Sequence, residues 1–372
     1  MTNSNRVKLK PRDTIGILGG GQLGRMLAMA AARLGLRCQI FSPDPESPAF
    51  DVVLNATCAE YADVEALEVF ANDVDVITYE FENVPASAAL VLSARRPVLP
   101  DRKILETTQD RLAEKNFVTK LGIGTAAYAD VSSVSSLREA ITRIGLPAVI
   151  KTRRFGYDGK GQAIIREGDD PSRIWAELGT KSAILEAFIP FEREISVIAA
   201  RSAAGEVECF DVTENEHRDH ILKVSRAPAA IPDALAQEAL DIAARIAAAL
   251  DYVGVLAVEM FVVADGAARP KVLVNEIAPR VHNSGHWTLD GASISQFEQH
   301  VRAIAGWPLG KPVRHGEVTM TNLIGEEVLG YEEWLTVPGT TVHLYGKGAP
   351  RPGRKMGHVT EVAPVTKSRP PS

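Results

Sequence analysis

The sequence predicts a multidomain α/β chain that opens with a doubly wound parallel sheet. Its 372 residues make roughly two to three domains of about 150 residues each. Through the N-terminal part, short apolar runs alternate with amphipathic runs of helical length, the pattern of strands joined by crossover helices. Gly19, Gly21 and Gly24 close the first apolar run and open the first amphipathic one, as a strand-to-helix turn requires. A composition 45% hydrophobic and 24% charged supplies apolar material for several cores and excludes a disordered or collagen-like chain.

Residues 1–14 are polar and predict a flexible N-terminal arm. Thr14–Leu18 is the first strand, and GGGQLGRMLAMAAARLG is the glycine turn and helix after it. CQIFS and Asp75–Tyr79 give further strands, and SPDPESPAF is a Pro- and Asp-rich loop. This unit closes near Pro97–Asp101. A helix is expected over Thr108–Leu121 with its acids and bases on the outer face, and another over Ser132–Ile144. LPAVIK is a buried strand ending at Lys151, followed by the glycine-rich RRFGYDGKGQ. SAILEAFI, ISVIAAR and GEVECFDV read as strands, and Pro232–Leu250 as an alanine-rich helix. VLAVEMFVV and KVLVNEIA pair around ADGAARP. RVHNSGHWTLDGA is polar and aperiodic, and reads as a functional loop. Ser295–Ala305 is a short helix, and the chain from about Glu317 is β-like with Gly/Pro turns. The closing EVAPVTKSRPPS is Pro-rich and is expected to be disordered.

Charge and cysteine usage narrow the function classes. Acids number 47 against 41 bases, a formal charge of -6, which argues against a duplex nucleic-acid partner. Cys38, Cys58 and Cys209 stand far apart, so neither a zinc site nor a disulfide framework is expected, and free thiols fit a reducing compartment. The N-terminus has no apolar core of signal-peptide type. The most apolar stretch, AAALDYVGVLAVEMFVV, is interrupted by Asp251 and Glu259, so no membrane span is expected. The reading is a soluble, cytoplasmic protein.

Three patterns carry chemistry. The GxGxxG turn has Asp44 20 residues beyond Gly24, the context of a dinucleotide fingerprint, yet the same glycines serve equally as a tight turn alone. Glu259 and Glu276 fall directly opposite each other in a hairpin symmetric about Ala267 and Ala268. Directly opposed Cβ atoms lie about 5 Å apart, where like charges repel, so a cation between them is implied. Oxygen ligands suit Mg²⁺. Strict alternation turns Asn275 to the other face from Glu276, so for both to line a site the strand must end or bulge there. Finally, Lys151 is followed by Gly156, Gly159 and Gly161 with Arg153, Arg154 and Lys160, a loop able to fold over a triphosphate, although it is not a GxxxxGK[ST] loop. His282 and His286 have the i, i+4 spacing of a zinc motif, but Asn283 stands where that motif has Glu and Gly285 disfavours a helix.

Lys151, the glycine flap, the acidic stretch LEAFIPFEREIS and the Glu259…Asn275-Glu276 pair together resemble the ATP-grasp superfamily. GGGQLGRM, TYEFENVP, GYDGKGQ, TENEHRDHIL, NEIAPRVHNSGHWTLDGASISQFEQHVRAI and YGK…RPGRKMGH, spread from about residue 15 to 358, further resemble the N5-carboxyaminoimidazole ribonucleotide synthetases of purine biosynthesis. The resemblance implies an ATP-grasp fold with an N-terminal Rossmann-like parallel-sheet domain and a small C-terminal β-rich domain. The parts would be residues 15–106, 107–312 with a flap subdomain at about 128–189, and 313–372. It implies ATP- and bicarbonate-dependent carboxylation of 5-aminoimidazole ribonucleotide through carboxyphosphate, with release of ADP and phosphate. It also implies two Mg²⁺ ions and a homodimer, with no nucleic acid or membrane as partner.

Matching positions imply the roles. Arg111 and Lys151 would contact the ATP phosphates, with Gly156, Tyr157, Asp158, Gly159, Lys160, Gly161 and Gln162 covering them. Glu186, Ala187, Phe188 and Ile189 would border adenine through strand-backbone hydrogen bonds, and Glu194 would meet the ribose hydroxyls. His217 and Asn275 would lie at the nucleotide, and Glu259 and Glu276 would hold Mg²⁺. Gln22, Leu23, Glu80, Arg280, His282, Asn283 and Ser284 would take the ribonucleotide, with Lys347, Arg354 and Lys355 on its 5′-phosphate. The cluster of these three with Arg351 in a Gly/Pro-rich loop suits a phosphate monoester. Arg280 would stabilise developing charge, His282 and Asp158 would handle protons, and Lys347 would complete the catalytic set. Rival readings are a formate-dependent glycinamide ribonucleotide transformylase, an NAD-dependent oxidoreductase built on GGGQLG, and a non-catalytic nucleotide-binding module.

Overall fold

The first sheet is parallel and four-stranded, in the order Asn55–Cys58, Arg37–Ser42, Thr14–Leu18, Val76–Tyr79. It belongs to a computed structural model that describes residues 7–154, 156, 161–265 and 268–364. Alternation along the first strand sends Ile15 and Ile17 toward the helix Gln22–Arg33 on one side, and Leu18 toward the helix Val64–Asn72 on the other. Both faces are therefore covered, which is why the strands read as continuous apolar runs.

The second sheet is antiparallel, in the order Tyr128–Val131, Ala183–Ala187, Ala148–Thr152, Gln162–Ile165. The helices Val134–Ile144 and Pro171–Leu178 pack against it. Ser133 caps the first of these through a reciprocal box with Ser136, a residue inside the expected start.

The third sheet has nine strands. It begins with the hairpin Ala268–Ala278 and Gly254–Asp265, continues through Arg193–Arg201, Thr213–Arg218 and Ile221–Ala227, and ends in Gly316–Ile324, Lys355–Pro364 and Thr340–Leu344, with Val207–Cys209 beside Arg193–Arg201. The β-rich C-terminal segment thus joins the central sheet, where Val224 pairs with Thr321. The alanine-rich helix Asp233–Ala249 covers one face over Val197 and Leu256. The helices Gln22–Arg33 and Gln296–Ile304 cover the other, over Ile198, Ala200 and Val255. His300 joins two sheets: its Nδ1 accepts from the Val255 amide at 3.1 Å, and its Nε2 meets Thr78 Oγ1 at 2.8 Å. Among the described residues, no helix is long and apolar enough to cross a membrane.

Four expectations are corrected. Residues 7–13 are not loose: Leu9 is buried, its amide donates to Ala305 O, and Trp307 Nε1 donates back to Leu9 O at 2.8 Å. Glu361–Pro364, placed in a disordered tail, close the last strand by pairing with Gly316–Thr319. The helix expected over Thr108–Leu121 runs over Arg111–Lys120, starting three residues later because Asp110 caps it through the Leu112 and Ala113 amides, and a separate helix, Arg102–Thr108, precedes it. Nor are that helix's charges outward, since Glu114 and Lys115 are buried.

The hairpin register is as expected at the carboxylates, where Glu259 pairs with Glu276, but it arises differently. Asp265 pairs with Ala268, which centres the turn one residue earlier than Ala267 and Ala268. Two register shifts, between Val263 and Asp265 and between Glu259 and Met260, restore the opposition. The second leaves Asn275 as the extra residue, the bulge that lets Asn275 and Glu276 face one site.

Candidate active site

All three sheets meet around one cleft of about 540 Å³. Its floor is the bulged hairpin, which presents Glu259, Asn275 and Glu276. Arg111 Nη1 donates to Glu276 Oε2 at 2.9 Å, and His282 Nε2 meets Glu259 Oε1 at the same distance. Burial opposes ionisation of Glu259, but His282, His217 and Arg280 outweigh it and hold the carboxyl at about 2. Glu259 is therefore anionic in neutral solution, next to a second carboxylate.

The side toward the second sheet is cationic. Lys151 Nζ donates to Glu186 Oε2 at 2.8 Å, and Lys115 Nζ lies 3.8 Å from the other oxygen. Burial of Glu186 is outweighed by these two lysines, which bring its carboxyl to about 2. Lys115 also donates to Thr125 Oγ1 and to the Asn275 carbonyl, each at 2.8 Å, so it ties the bulge to the helix Arg111–Lys120. Behind Arg111, burial first and the Glu276 charge second push Glu114 up to about 8. Arg153 grips the capping Asp110 through two bonds of 3.0 and 2.7 Å, and the Arg111 amide donates to the Arg153 carbonyl.

The glycine turn of the first sheet forms the opposite side. The Gly21 amide donates to Glu80 Oε1, and the Gly24 amide to Glu80 Oε2 at 2.6 Å. Gly19 has φ +101°, and a Cβ there would stand 2.4 Å from Glu80 Cγ, so only glycine lets this carboxylate reach the helix N-terminus. The amides that would cradle a pyrophosphate thus already bond an internal carboxyl group, which burial pushes above the usual carboxylate range against the pull of these two bonds. Asp44, the acid of the dinucleotide reading, accepts from the Glu46 amide in an exposed loop away from the cleft. Next to Glu80, Arg280 pairs with Glu82, whose carboxyl is held at about 2: burial opposes ionisation and the guanidinium outweighs it.

The comparisons with known proteins agree along the chain. Residues 12–109 match the ribonucleotide synthetase preATP-grasp domain, 116–297 the ATP-grasp domain, and 318–368 the phosphoribosylaminoimidazole carboxylase C-terminal domain. The chain is 49% identical to the N5-carboxyaminoimidazole ribonucleotide synthase of Brucella melitensis, over 97% of this chain and 99% of that one. The chain belongs to the N5-carboxyaminoimidazole ribonucleotide synthase family. The Thermus thermophilus synthetase structure superposes with a TM-score of 0.87 at 46% identity, covering 94% of this chain and 93% of that one. The Aspergillus clavatus synthase, solved with ADP and 5-aminoimidazole ribonucleotide, gives 0.87 at 31% identity over 95% and 94% of the two chains. These relatives leave the oxidoreductase reading of the glycine turn without support.

Of the residues expected at the site, Gln22, Leu23, Glu80, Arg111, Lys151, Gly156, Gln162, Glu194, His217, Glu259, Asn275, Glu276, Arg280, His282, Asn283 and Lys355 line the cleft. His217 Nδ1 bonds Glu194 Oε2 at 2.5 Å, so the two expected nucleotide neighbours form one unit. Tyr157, Asp158, Gly159 and Lys160 lie outside the described residues. Gly161 pairs through its carbonyl with the Thr152 amide at the flap's far end. Several placements differ from expectation. The side chain of Glu186, a residue expected to border adenine through its backbone, is buried behind Lys151, where it serves the lysines. The Ala187 and Phe188 amides already donate to the Ala127 and Pro147 carbonyls, which removes both donors from an adenine role. Phe188 is half-exposed, and Phe191 beyond Ile189 stacks on Phe261 with centroids 4.7 Å apart, making an apolar wall beside this strand end. Ser284 is fully buried behind His282 and away from the cleft. Lys347 does not line the cleft: its Nζ donates to the Lys355 carbonyl at 2.8 Å and sits 5.5 Å over the Tyr345 ring. Burial, then Arg354, bring Lys347 down to about 8. Arg354 is likewise outside the lining, and its carbonyl accepts from the Gly325 amide.

Sequence reasoning missed Glu82, Gln109, Glu114, Lys115 and the role of Arg153. A signal existed for part of this set. Arg111, Glu114 and Lys115 fall at i, i+3 and i+4 right after a capping Asp110, a charged stripe that can as well face a polar site as solvent.

Proposed function

We propose the following division of labour in the reaction of this family, the ATP-dependent conversion of 5-aminoimidazole ribonucleotide to its N5-carboxy derivative in purine biosynthesis. ATP lies between the second sheet and the hairpin, its phosphates toward Lys151 and Arg111, with Glu194 and His217 at its ribose end. Glu259 and Glu276 carry Mg²⁺, with Asn275 alongside. The donor chemistry fits: two opposed carboxylates, each held by a nitrogen donor, give hard oxygen ligands in an otherwise apolar hairpin. When bound, Mg²⁺ neutralises charge on the transferring phosphoryl group.

The γ-phosphoryl passes to bicarbonate, giving carboxyphosphate, a step that needs positioning and charge neutralisation more than covalent chemistry. Lys151 supplies fixed positive charge from the second sheet, and Arg111 supplies it beside Glu276 of the hairpin. The ribonucleotide enters from the glycine-turn side, with Glu80 and Gln22 below it and Arg280, His282 and Asn283 beside it, and its phosphate toward Lys355. Its exocyclic amine attacks the carboxyl carbon, and Arg280, fixed by Glu82, faces the charge that develops. The flap from Gly156 to Gln162 excludes water from the labile intermediate. We further propose a cytoplasmic homodimer, as the resemblance implies.

One observation carries the reading: a single cleft joins the opposed carboxylates, Lys151 and the end of the glycine turn at Gln22, Leu23 and Glu80. The test is steady-state ADP release with ATP, Mg²⁺ and bicarbonate, with and without 5-aminoimidazole ribonucleotide. Strong stimulation by the ribonucleotide is expected. Turnover only with formate and glycinamide ribonucleotide would move the chain to the neighbouring ligases. Glu276→Gln is expected to abolish ADP formation while the far-ultraviolet circular dichroism stays unchanged; near-native turnover would sink the metal assignment.

A further inference from the structure

Behind His282 runs a file of buried polar side chains that no step above uses. His282 Nδ1 meets Ser284 Oγ at 2.9 Å. Ser284 Oγ in turn accepts from Ser196 Oγ at 2.8 Å, Ser196 Oγ from Asn215 Nδ2 at 2.9 Å, and Asn215 Oδ1 from Ser225 Oγ at 2.7 Å. Ser196, Ser225 and Ser284 are fully buried and Asn215 nearly so, on three neighbouring strands and the loop above them. Burying four polar side chains against an apolar sheet is costly unless each is satisfied, and here each finds its partner in the next.

The direction of the file is fixed at one end. The Ser284 amide donates to His282 Nδ1 at 3.3 Å, and an amide N–H can only donate. Nδ1 therefore carries the lone pair, and in the neutral ring the proton sits on Nε2, which points at Glu259 Oε1. The Ser284 hydroxyl, accepting from Ser196, has its own proton to give to Nδ1. Every hydroxyl and amide proton in the file then points toward the imidazole. The main chain of His282 is clamped as well: its amide donates to Gln296 Oε1 at 2.9 Å, and Gln296 Nε2 donates to its carbonyl at 2.7 Å. A Cβ on Gly285 would lie 2.7 Å from Gln296 Oε1, so the glycine is what lets the clamp close.

We propose that Ser284, Ser196, Asn215 and Ser225, together with Gln296, are positioning residues that hold His282 as the Nε2–H tautomer with that proton directed into the cleft. In this state His282 donates a hydrogen bond at the reaction centre, to Glu259 or to substrate oxygen. It does not accept a proton there, and the removal of the amine proton falls to another group. The proposal rests on His282 facing the reacting groups, as argued above, so its test has one arm independent of activity.

That arm is ¹⁵N NMR of protein labelled at histidine, with the His282 signals assigned by their loss in His282→Asn. In the neutral ring, a pyrrole-type Nε2 coupled to its proton and a pyridine-type Nδ1 are expected. The opposite assignment overturns the proposal whatever the kinetics show. The second arm is Ser196→Ala, which removes the donor that frees the Ser284 proton. A mixed tautomer signal and a kcat lowered about 10-fold are expected, by the scale on which partners of a functional histidine act. The KM for ATP should hold within twofold, and Ser196→Ala with Ser284→Ala should cost little more than Ser284→Ala alone, since both act through one file. A folded Ser196→Ala with native kcat and native tautomer overturns it. If Ser196→Ala does not fold, the wild-type tautomer and Ser225→Ala, two links further back, decide in the same way.

Discussion

Lys151 has two jobs that a single substitution confounds. It neutralises the buried Glu186, and it faces the cleft. Lys151→Met is expected to abolish ADP formation and to lower stability by about 3 kcal/mol, because removing one partner of a buried pair strands the other charge. Lys151→Met with Glu186→Leu takes the carboxylate from the buried Lys115 as well, so it should recover only part of that stability and none of the activity. Denaturant unfolding alongside ADP assays reads both; recovery of activity in the double variant would place Lys151 outside catalysis. The same reasoning shows what the sequence left unread in the side chain of Glu186. A glutamate at a strand end next to a nucleotide site reads as a ligand contact, and only the three-dimensional meeting of Lys115 and Lys151 gives it a structural task.

At the scale of elements, Asp110 is the joint between the flap's root and the helix carrying Arg111. It caps that helix and takes Arg153 bidentately. Asp110→Ala should cost about 1–2 kcal/mol for the cap alone, with a further loss from the freed Arg153. Asp110→Asn, which keeps an accepting oxygen, should cost less; equal losses in the two variants, measured by denaturant unfolding, would deny the cap. Element type and order were legible because the apolar periods are strong: the glycine turn, the Asp233–Ala249 helix and the 254–278 hairpin stand where expected. The opposition of Glu259 and Glu276 was legible in pairing but not in cause, since bulges leave no mark in an alternating pattern. The inward face of Arg111–Lys120 was not legible, because a charged stripe reads as solvated until partner charges from other elements are placed beside it.

At the scale of the molecule, the cleft exists only because the first sheet is held against the third. His300 makes that junction with both ring nitrogens, and burial brings its pKa down to about 4. A histidine lowered on folding contributes stability that is present above about 6.5 and is lost as pH falls through about 4. Unfolding free energy should therefore decline below about pH 6.5. Glu82 and Glu186, held at about 2, should add a further decline as pH falls from the usual carboxylate range near 4.5 to about 2. His300→Gln should make the upper part of this curve shallower, with the buried His286 and His358 keeping the rest, and leave the lower part; an unchanged profile from pH 6.5 to 4 would refute the junction's role. The C-terminal strands and the pinned residues 7–13 extend the same cohesion; residues 7–13 and Glu361–Pro364 were misread because short polar or Pro-rich ends look loose until their pairing partners are known.

The phosphoryl acceptor is the centre of the proposed chemistry, and oxygen isotopes follow it directly. With [¹⁸O]bicarbonate, ATP, Mg²⁺ and 5-aminoimidazole ribonucleotide, ³¹P NMR of the released phosphate should show one ¹⁸O per phosphate, carried over from carboxyphosphate. Phosphate that takes its new oxygen from labelled water and none from bicarbonate would contradict the cleft's assignment as a site where bicarbonate is phosphorylated.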